Sequence, residues 1–288
     1  MFDLDTLVFM IPPIVAALLI LSVHAYLGLH VIAREVIFVD LAFAQIAALG
    51  TTVALLAGIE HGTMMSTFFA LGATLAGALL FSFTRMEGSR VPQEAIIGIS
   101  YVVASAAAIL LAGLTAEGAE HIKETLTGTL LWVGWPAIRK MAVVSLAVGV
   151  FHFALRRYFL AISFHPEKAE KVRLWDFLFY LSFGVAISFS VEIAGVLMVF
   201  SSLVIPAVVA FFFTDRFGVA LIIAWVSGAV AIIGGIGASF YWDLATGPLL
   251  VCAFGAVLVV AMMLRPFLGV PPGARIRVKA LMEEGAGD

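Results

Sequence analysis

The sequence predicts an all-α, polytopic integral membrane helix bundle of about nine transmembrane helices. Apolar residues make up 63% of the 288 residues and charged residues 12%, and the mean hydropathy is +1.13. Ordinary soluble domains are about 45–50% apolar and about 25% charged, so this chain has too little polar surface to cover a water-soluble globule. At about 20 residues per bilayer crossing, its apolar residues suffice for about nine helices. A net charge of −3 and a single cysteine, Cys252, argue against nucleic-acid binding and a disulfide-stapled secreted fold.

Long apolar runs between short polar clusters place the individual helices. We predict spans over residues 7–31, 36–58, 64–84, 94–114, 137–160, 175–190, 193–213, 217–240 and 247–265. The sixth and seventh spans form nearly one unbroken apolar stretch, which is divided only at Ser190, Val191 and Glu192. A count of eight or ten therefore stays open.

The distribution of Lys and Arg predicts the orientation, because short loops rich in these residues stay on the cytoplasmic side. With the N-terminus outside and the C-terminus in the cytoplasm, 13 of the 16 basic residues lie inside, and Lys123, Arg139 and Lys140 lie outside. We therefore expect a multi-pass protein of the cell inner (plasma) membrane. Residues 1–5 lack the basic start of a cleaved signal peptide, so the first helix is expected to stay in the mature protein.

The chain is predicted to have one domain. Residues 1–270 form the transmembrane part, and 271–288 form a polar cytoplasmic tail. A polar inner segment, 161–174, interrupts the transmembrane part without being long enough to bury a core of its own.

Ionisable and amide side chains within the membrane are costly, which makes them candidates for a translocation path. Asp40 lies on the second helix about six residues, or roughly 9 Å, beyond Arg34, and Gln45 follows it. His24 and His30 lie in the inner half of the first helix, and Glu94 begins the fourth. If these helices adjoin, the five side chains converge in the inner half of the bundle. Interfacial anchoring or helix capping is the alternative for His24, His30, Glu94 and Asp40.

A second candidate cluster lies in the predicted outer loop and holds Glu117, Glu120, His121 and Glu124. On a helix, the spacings 117/121 and 120/124 bring side chains to one face. Carboxylates with an imidazole suit zinc, manganese or iron(II). A solvated loop helix, or a docking surface for an external partner, would use the same residues.

No motif for enzymatic chemistry is present in the sequence. None of the five lysines follows a glycine, so the Gly-Lys pair of a phosphate-binding loop is absent, as is a HExxH motif. The chain is therefore predicted not to be an enzyme and not to hydrolyse ATP itself.

Two stretches resemble the permeases of metal-ion ABC importers of the zinc, manganese and iron type. Residues 163–169, S-F-H-P-E-K-A, are similar to the coupling segment F-D-P-E-x-A of that family, and residues 195–207, G-V-L-M-V-F-S-S-L-V-I-P-A, are similar to its G-x-L-L-V-x-x-L-L-I-x-P-A. One stretch departs from the pattern. The family's second helix carries G-D-A-x-S-H, whereas residues 39–45 read V-D-L-A-F-A-Q, so Asp40 remains but Gln45 stands one position beyond the family's His. The resemblance thus supports a divergent permease better than it supports zinc as cargo.

The resemblance implies a division of labour between this chain and several partners. A cytoplasmic ATPase, which uses ATP and Mg²⁺, would act through the coupling segment 161–174, above all through His165, Pro166, Glu167, Lys168 and Ala169. An external metal-binding protein would deliver a divalent transition metal (zinc, manganese or iron) or its chelate, and a second copy of the chain would complete a homodimer. Two other functions stay open: a stand-alone secondary cation transporter or channel, and a membrane anchor or assembly factor that moves nothing.

Overall fold

A computed structural model describes residues 4–60, 62–85, 90–115, 118–166 and 169–268. Its α-helices are α1 (Leu4–Ala33), α2 (Val39–Leu56), α3 (Met64–Thr84), α4 (Gln93–Ala112), α5 (Gly118–Thr127), α6 (Trp135–Ala154), α7 (Arg156–Phe164), α8 (Val172–Phe213), α9 (Phe217–Trp242) and α10 (Thr246–Leu264). Two short 3₁₀ helices, Leu130–Trp132 and Arg265–Leu268, follow α5 and α10.

The structure confirms the predicted all-α membrane bundle. Eight of the described helices are long and apolar enough to cross a membrane, namely α1 to α4, α6 and α8 to α10. Their outward faces carry large exposed apolar side chains, for example Phe68, Leu110 and Phe153. In water such an apolar surface would favour aggregation, whereas in a membrane it contacts the lipid chains.

The 42-residue helix α8 folds back on itself at Gly195. A straight helix would hold Phe179 and Leu203 about 36 Å apart. Both residues nevertheless contact one turn of α1: the Phe179 ring lies 5.7 Å from the ring of His30, and a Cβ at Gly28 would collide with the Leu203 carbonyl oxygen. The two arms of α8, 172–194 and 196–213, are therefore separate antiparallel segments, so the eight long helices of the described chain provide nine candidate spans. The break lies at Gly195, not at the predicted Ser190 to Glu192.

A conformation reserved for glycine produces this turn. Gly195 has φ 75° and ψ 160°, a region that other residues hardly enter. The segment after α5 packs against it, since a Cβ on Gly128 would collide with the backbone of Ala194 and Gly195. The Thr129 N–H donates to the Ile193 carbonyl at 3.1 Å, which uses one of the acceptors that the turn frees.

The predicted fifth span, 137–160, is two helices in the structure. Leu155, at φ −104° and ψ 16°, separates α6 from α7. Buried side chains of α7 include Phe159 and Ile162, while Arg156 stays partly accessible. This amphipathic pattern suits a helix at the edge of the bundle better than a continued span.

Helix packing defines two ends of the bundle. Helix α1 packs on α6, α8 and α9, whereas α2 packs on α3, α4 and α8. Helix α5 lies at one end beside the Gly195 turn, and α7 lies at the other beside the start of α8. We call these the α5 end and the α7 end.

Candidate functional site

A cavity of about 260 Å³ lies at the α5 end between α2, α3, α5 and the first arm of α8. Two carboxylates, Glu124 and Glu192, are among its lining residues, so we call it the acidic cavity. Its other polar lining consists of hydroxyl side chains, namely Thr51, Ser66, Thr67, Thr125, Thr129 and Ser188. These side chains offer oxygen atoms, the ligands that suit manganese and other hard cations.

One carboxylate of the acidic cavity is already paired. Lys140 Nζ lies 3.2 Å from Glu192 Oε2 and 4.8 Å from the centre of the Phe189 ring. Both partners of this ion pair are partly exposed, so water weakens it. Glu124, from α5, is the other carboxylate that lines the cavity.

The register of α2 explains what faces the acidic cavity. Ala44, Ala47, Ala48 and Thr51 line it from α2, whereas Gln45 is buried and is absent from the lining. Ala44 lies four residues after Asp40, the position at which the resembling family carries its histidine. A small methyl group thus stands where an imidazole would reach into the space, and Gln45 lies about 100° further round the helix.

Four buried rings close the cavity toward the α7 end. Phe43 lies 5.2 Å from Phe81 and 5.8 Å from Phe183, and Phe81 lies 6.0 Å from Tyr180. All four are fully buried. Because Gly184 touches Phe43 and lies one turn from Ser188 of the cavity lining, this aromatic layer directly underlies the cavity.

Asp40 and Glu94 lie together beyond the cavity, at the start of α2. Glu94 Oε1 accepts the Phe38 N–H at 3.0 Å, which caps α2, and Asp40 Oδ1 accepts the Leu41 N–H at 2.7 Å. The two carboxylates interact electrostatically. Among the described residues, Asp40 Oδ2 and Glu94 Oε2 find no hydrogen-bond partner although both atoms are buried.

The histidines of α1 lie apart from this carboxylate pair. His24 is buried and its Nδ1 lies 2.7 Å from the Ile20 carbonyl, one turn back on the same helix. His30 Nδ1 lies 2.8 Å from Ser163 Oγ, and its ring packs against Tyr26 and Phe217. These hydrogen bonds and ring contacts of His24 and His30 therefore include neither Asp40 nor Glu94.

The predicted outer cluster is described in part. Glu117 lies outside the described residues, and of His121 the structure describes the helical backbone alone. Glu120 and Glu124 both lie on α5 and are exposed, and Glu124 is the one that lines the acidic cavity. In the described chain, no three His, Cys, Asp or Glu side chains are close enough together to hold a metal ion.

The predicted coupling residues follow α7. The Ala169 N–H donates to the Pro166 carbonyl at 3.2 Å, and His165 is half-buried. Glu167 and Lys168 lie outside the described residues.

One buried ionic cluster of the described bundle is not apparent from the sequence pattern. Arg34, Arg85 and Asp176 meet at the α7 end, and we call them the ionic cluster. Arg34 Nη1 lies 3.2 Å and Arg85 Nη1 2.9 Å from Asp176 Oδ1, and Asp176 is fully buried. The available signal is Asp176 itself, a carboxylate at the second position of the predicted span 175–190.

The chain that carries this cavity, aromatic layer and buried carboxylate pair is similar to known proteins. A family model described as the ABC 3 transport family matches residues 6–265. The chain belongs to the ABC 3 transport family. This match confirms the resemblance to metal-ion ABC importer permeases.

Relatives of this ABC 3 family member are membrane proteins of metal transport systems. The manganese transport system membrane protein MntC of Halalkalibacterium halodurans is 28% identical over 231 residues, which cover 75% of this chain and 76% of that protein. The chelated iron transport system membrane protein YfeC of Yersinia pestis is 26% identical over 207 residues, which cover 70% and 68%. PsaBC from Streptococcus pneumoniae, solved in complex with Fab, shares the fold with a TM-score of 0.73 at 17% identity, over 88% of this chain and 91% of that one.

Proposed function

We propose that this ABC 3 family member is the permease subunit of an importer for a hydrated divalent transition metal ion, with manganese favoured, and that a separate ATPase drives it. The acidic cavity carries this proposal. Its oxygen-lined wall suits manganese or iron(II) better than zinc, which prefers nitrogen and sulfur ligands.

The size of the cavity supports a hydrated ion or a small chelate as cargo. Measured as space for water centres, six waters need about 60–90 Å³ at about 10–15 Å³ each, which fits within about 260 Å³. Pockets for drug-sized ligands span about 300–1,000 Å³, so the cavity lies just below that range, which favours a small cargo. Two carboxylates and several hydroxyls would hold the ion through its water shell.

The path below the cavity would pass the aromatic layer and reach Asp40 and Glu94. Their buried, unpartnered oxygen atoms offer negative charge to a cation that leaves the cavity. In this scheme the α5 end faces outward and receives the ion from an external binding protein. The α7 end faces the cytoplasm, where the ATPase engages segment 161–174, and a second copy of the chain completes the transporter.

Reconstitution in liposomes tests the proposal. The chain, its co-purifying ATPase and the binding protein should take up manganese when ATP is supplied on the α7 side, and uptake should stop with a non-hydrolysable ATP analogue. Equal uptake by the chain without any ATPase would support the stand-alone transporter instead. Absence of uptake and of metal binding under all conditions would support the anchor function.

A pair of glutamates on α5 tests the role of the cavity. Glu124→Gln should raise the manganese concentration for half-maximal uptake about tenfold, because losing one carboxylate beside a divalent ion costs at least about 1.4 kcal/mol. Glu120→Gln is the matched control, since Glu120 lies one turn away on α5 and is absent from the cavity lining. Equal effects of the two variants would argue against binding in the cavity.

A further inference from the structure

The two arginines of the ionic cluster each contact the beginning of segment 161–174 and Asp176, which lies just beyond its end. Arg34 donates from Nε to Ser163 Oγ at 2.9 Å and pairs with Asp176 on the far side of the segment. Arg85 donates to the Ile162 carbonyl at 3.1 Å and to both carboxylate oxygens of Asp176 at 2.9 and 3.2 Å. One arginine follows α1 and the other ends α3, so the beginning of the segment and Asp176 are tied to two transmembrane helices at once.

We propose that Arg34, Arg85 and Asp176 are the positioning residues that transmit movement of segment 161–174 to the acidic cavity. This inference rests on the proposed function, in which an ATPase moves that segment. The ionic cluster makes the start of α8, the ends of α1 and α3, and the end of α7 move together, because separating them would strand charged groups in a buried site.

The charges of the ionic cluster are deeply buried. The Arg34 side chain is 2% exposed and that of Asp176 is fully buried. The Arg34 guanidinium also lies 3.9 Å over the Phe179 ring, which helps to accommodate the second positive charge that one carboxylate cannot balance. Because two arginines share one buried carboxylate, neither can leave it without losing its counter-ion. A displacement of one of the three side chains therefore moves the other two.

A single row along α8 leads from the ionic cluster to the cavity. Asp176, Tyr180, Gly184, Ser188 and Glu192 follow one another at intervals of four residues, which places them along one ridge of the helix. Asp176 belongs to the ionic cluster, Tyr180 to the aromatic layer, and Ser188 and Glu192 to the cavity lining. About 24 Å of continuous helix therefore joins the two sites.

The other helices at the ionic cluster lead to the same cavity. Helix α3 runs from the lining residues Ser66 and Thr67 to Arg85 at its end. Helix α1 ends beside Arg34, and the short turn that follows enters α2, which supplies Ala44 and its neighbours. A displacement at the ionic cluster thus reaches three of the four walls.

The test measures ions moved per ATP hydrolysed by the full complex in liposomes. Asp176→Asn should let ATP hydrolysis continue at a rate close to that of the wild type while the ions moved per ATP fall about tenfold, within the range of coupling between sites. Ser163→Ala should lower the same ratio by about threefold without removing any charge. Arg85→Lys keeps the charge but cannot reach Asp176 and the Ile162 carbonyl with one planar group, so a partial loss is expected.

Asp243→Asn is the matched control, because Asp243 is exposed near the α5 end and its positive φ suits asparagine. A wild-type ratio in Asp176→Asn, or a proportional fall of hydrolysis and uptake, would overturn the inference and leave the ionic cluster a stabilising role. Should Asp176→Asn fail to assemble, Ser163→Ala decides by the same readout. Failure of the proposed function would show differently, as absence of ATP-dependent uptake in the wild type.

Discussion

Ala44 is the residue that most clearly sets this permease apart from the pattern it resembles. It lies one turn beyond Asp40 and lines the acidic cavity, where the family's motif has a histidine. Without that imidazole, the described lining offers oxygen atoms alone as metal ligands. Oxygen ligands suit manganese, and a softer nitrogen ligand would suit zinc and copper better.

Ala44→His should therefore shift the cargo preference toward zinc. The new imidazole would project into the cavity and could replace one water of the ion, so the ratio of zinc to manganese uptake should rise about tenfold, equivalent to about 1.4 kcal/mol. Competition between radioactive manganese and cold zinc in liposomes measures this ratio. Ala44→Phe adds similar bulk without a ligand and should lower uptake of both metals alike; an identical response of the two variants would contradict the role of the nitrogen.

Single residues could be predicted from the sequence where one physical rule suffices. A carboxylate in an apolar run is costly, and that rule finds Asp40, which the structure places beside Glu94. The same rule applies to Asp176, but the role of its carboxylate depends on pairing with Arg34 and Arg85, which are far away in sequence. Nothing in the local pattern shows that the two arginines, which the sequence assigns to inner loops, turn inward to meet it.

At the scale of elements, hydrophobic patterning predicts that α8 contains two spans but not where the chain turns between them. Its length of apolar sequence predicts two spans, and the structure has two arms. The polar residues Ser190 and Glu192 suggest the boundary, yet the chain turns at Gly195, because backbone conformation decides where a helix can reverse. Glu192 remains helical and lines the cavity instead.

Gly195→Ala should destabilise the α5 end strongly. Its φ of 75° and ψ of 160° are strained for alanine by about 1–3 kcal/mol, and the added Cβ would collide with Gly128 and Thr127. We expect the melting temperature in detergent to fall by at least about 5 °C. Gly149→Ala in α6 is the control: apart from its own helix backbone, nothing lies within 4 Å of the added Cβ. Alanine is the better helix former by about 0.5–1 kcal/mol, so the melting temperature should stay level or rise by up to about 4 °C.

At the scale of the whole molecule, composition predicts the bundle but not its neighbour relations. Apolar helix faces look alike in sequence, so the pairing of α1 with α8 and α9, and of α2 with α3 and α4, appears in the structure alone. That pairing separates His30 from Asp40, which sequence analysis expects to converge. The orientation, in contrast, is predicted from a bias of Lys and Arg that needs no contact information.

Cysteine labelling tests the predicted orientation of the whole bundle. In a Cys252→Ala background, Glu120→Cys on α5 should react with a membrane-impermeant maleimide in intact cells, because α5 is predicted to lie outside. Arg173→Cys, exposed in the first turn of α8, should react only after the membrane is opened. The reverse pattern would place the ionic cluster and segment 161–174 outside the cell, where no cytoplasmic ATPase could move them, and the acidic cavity would then face the compartment that an importer empties into.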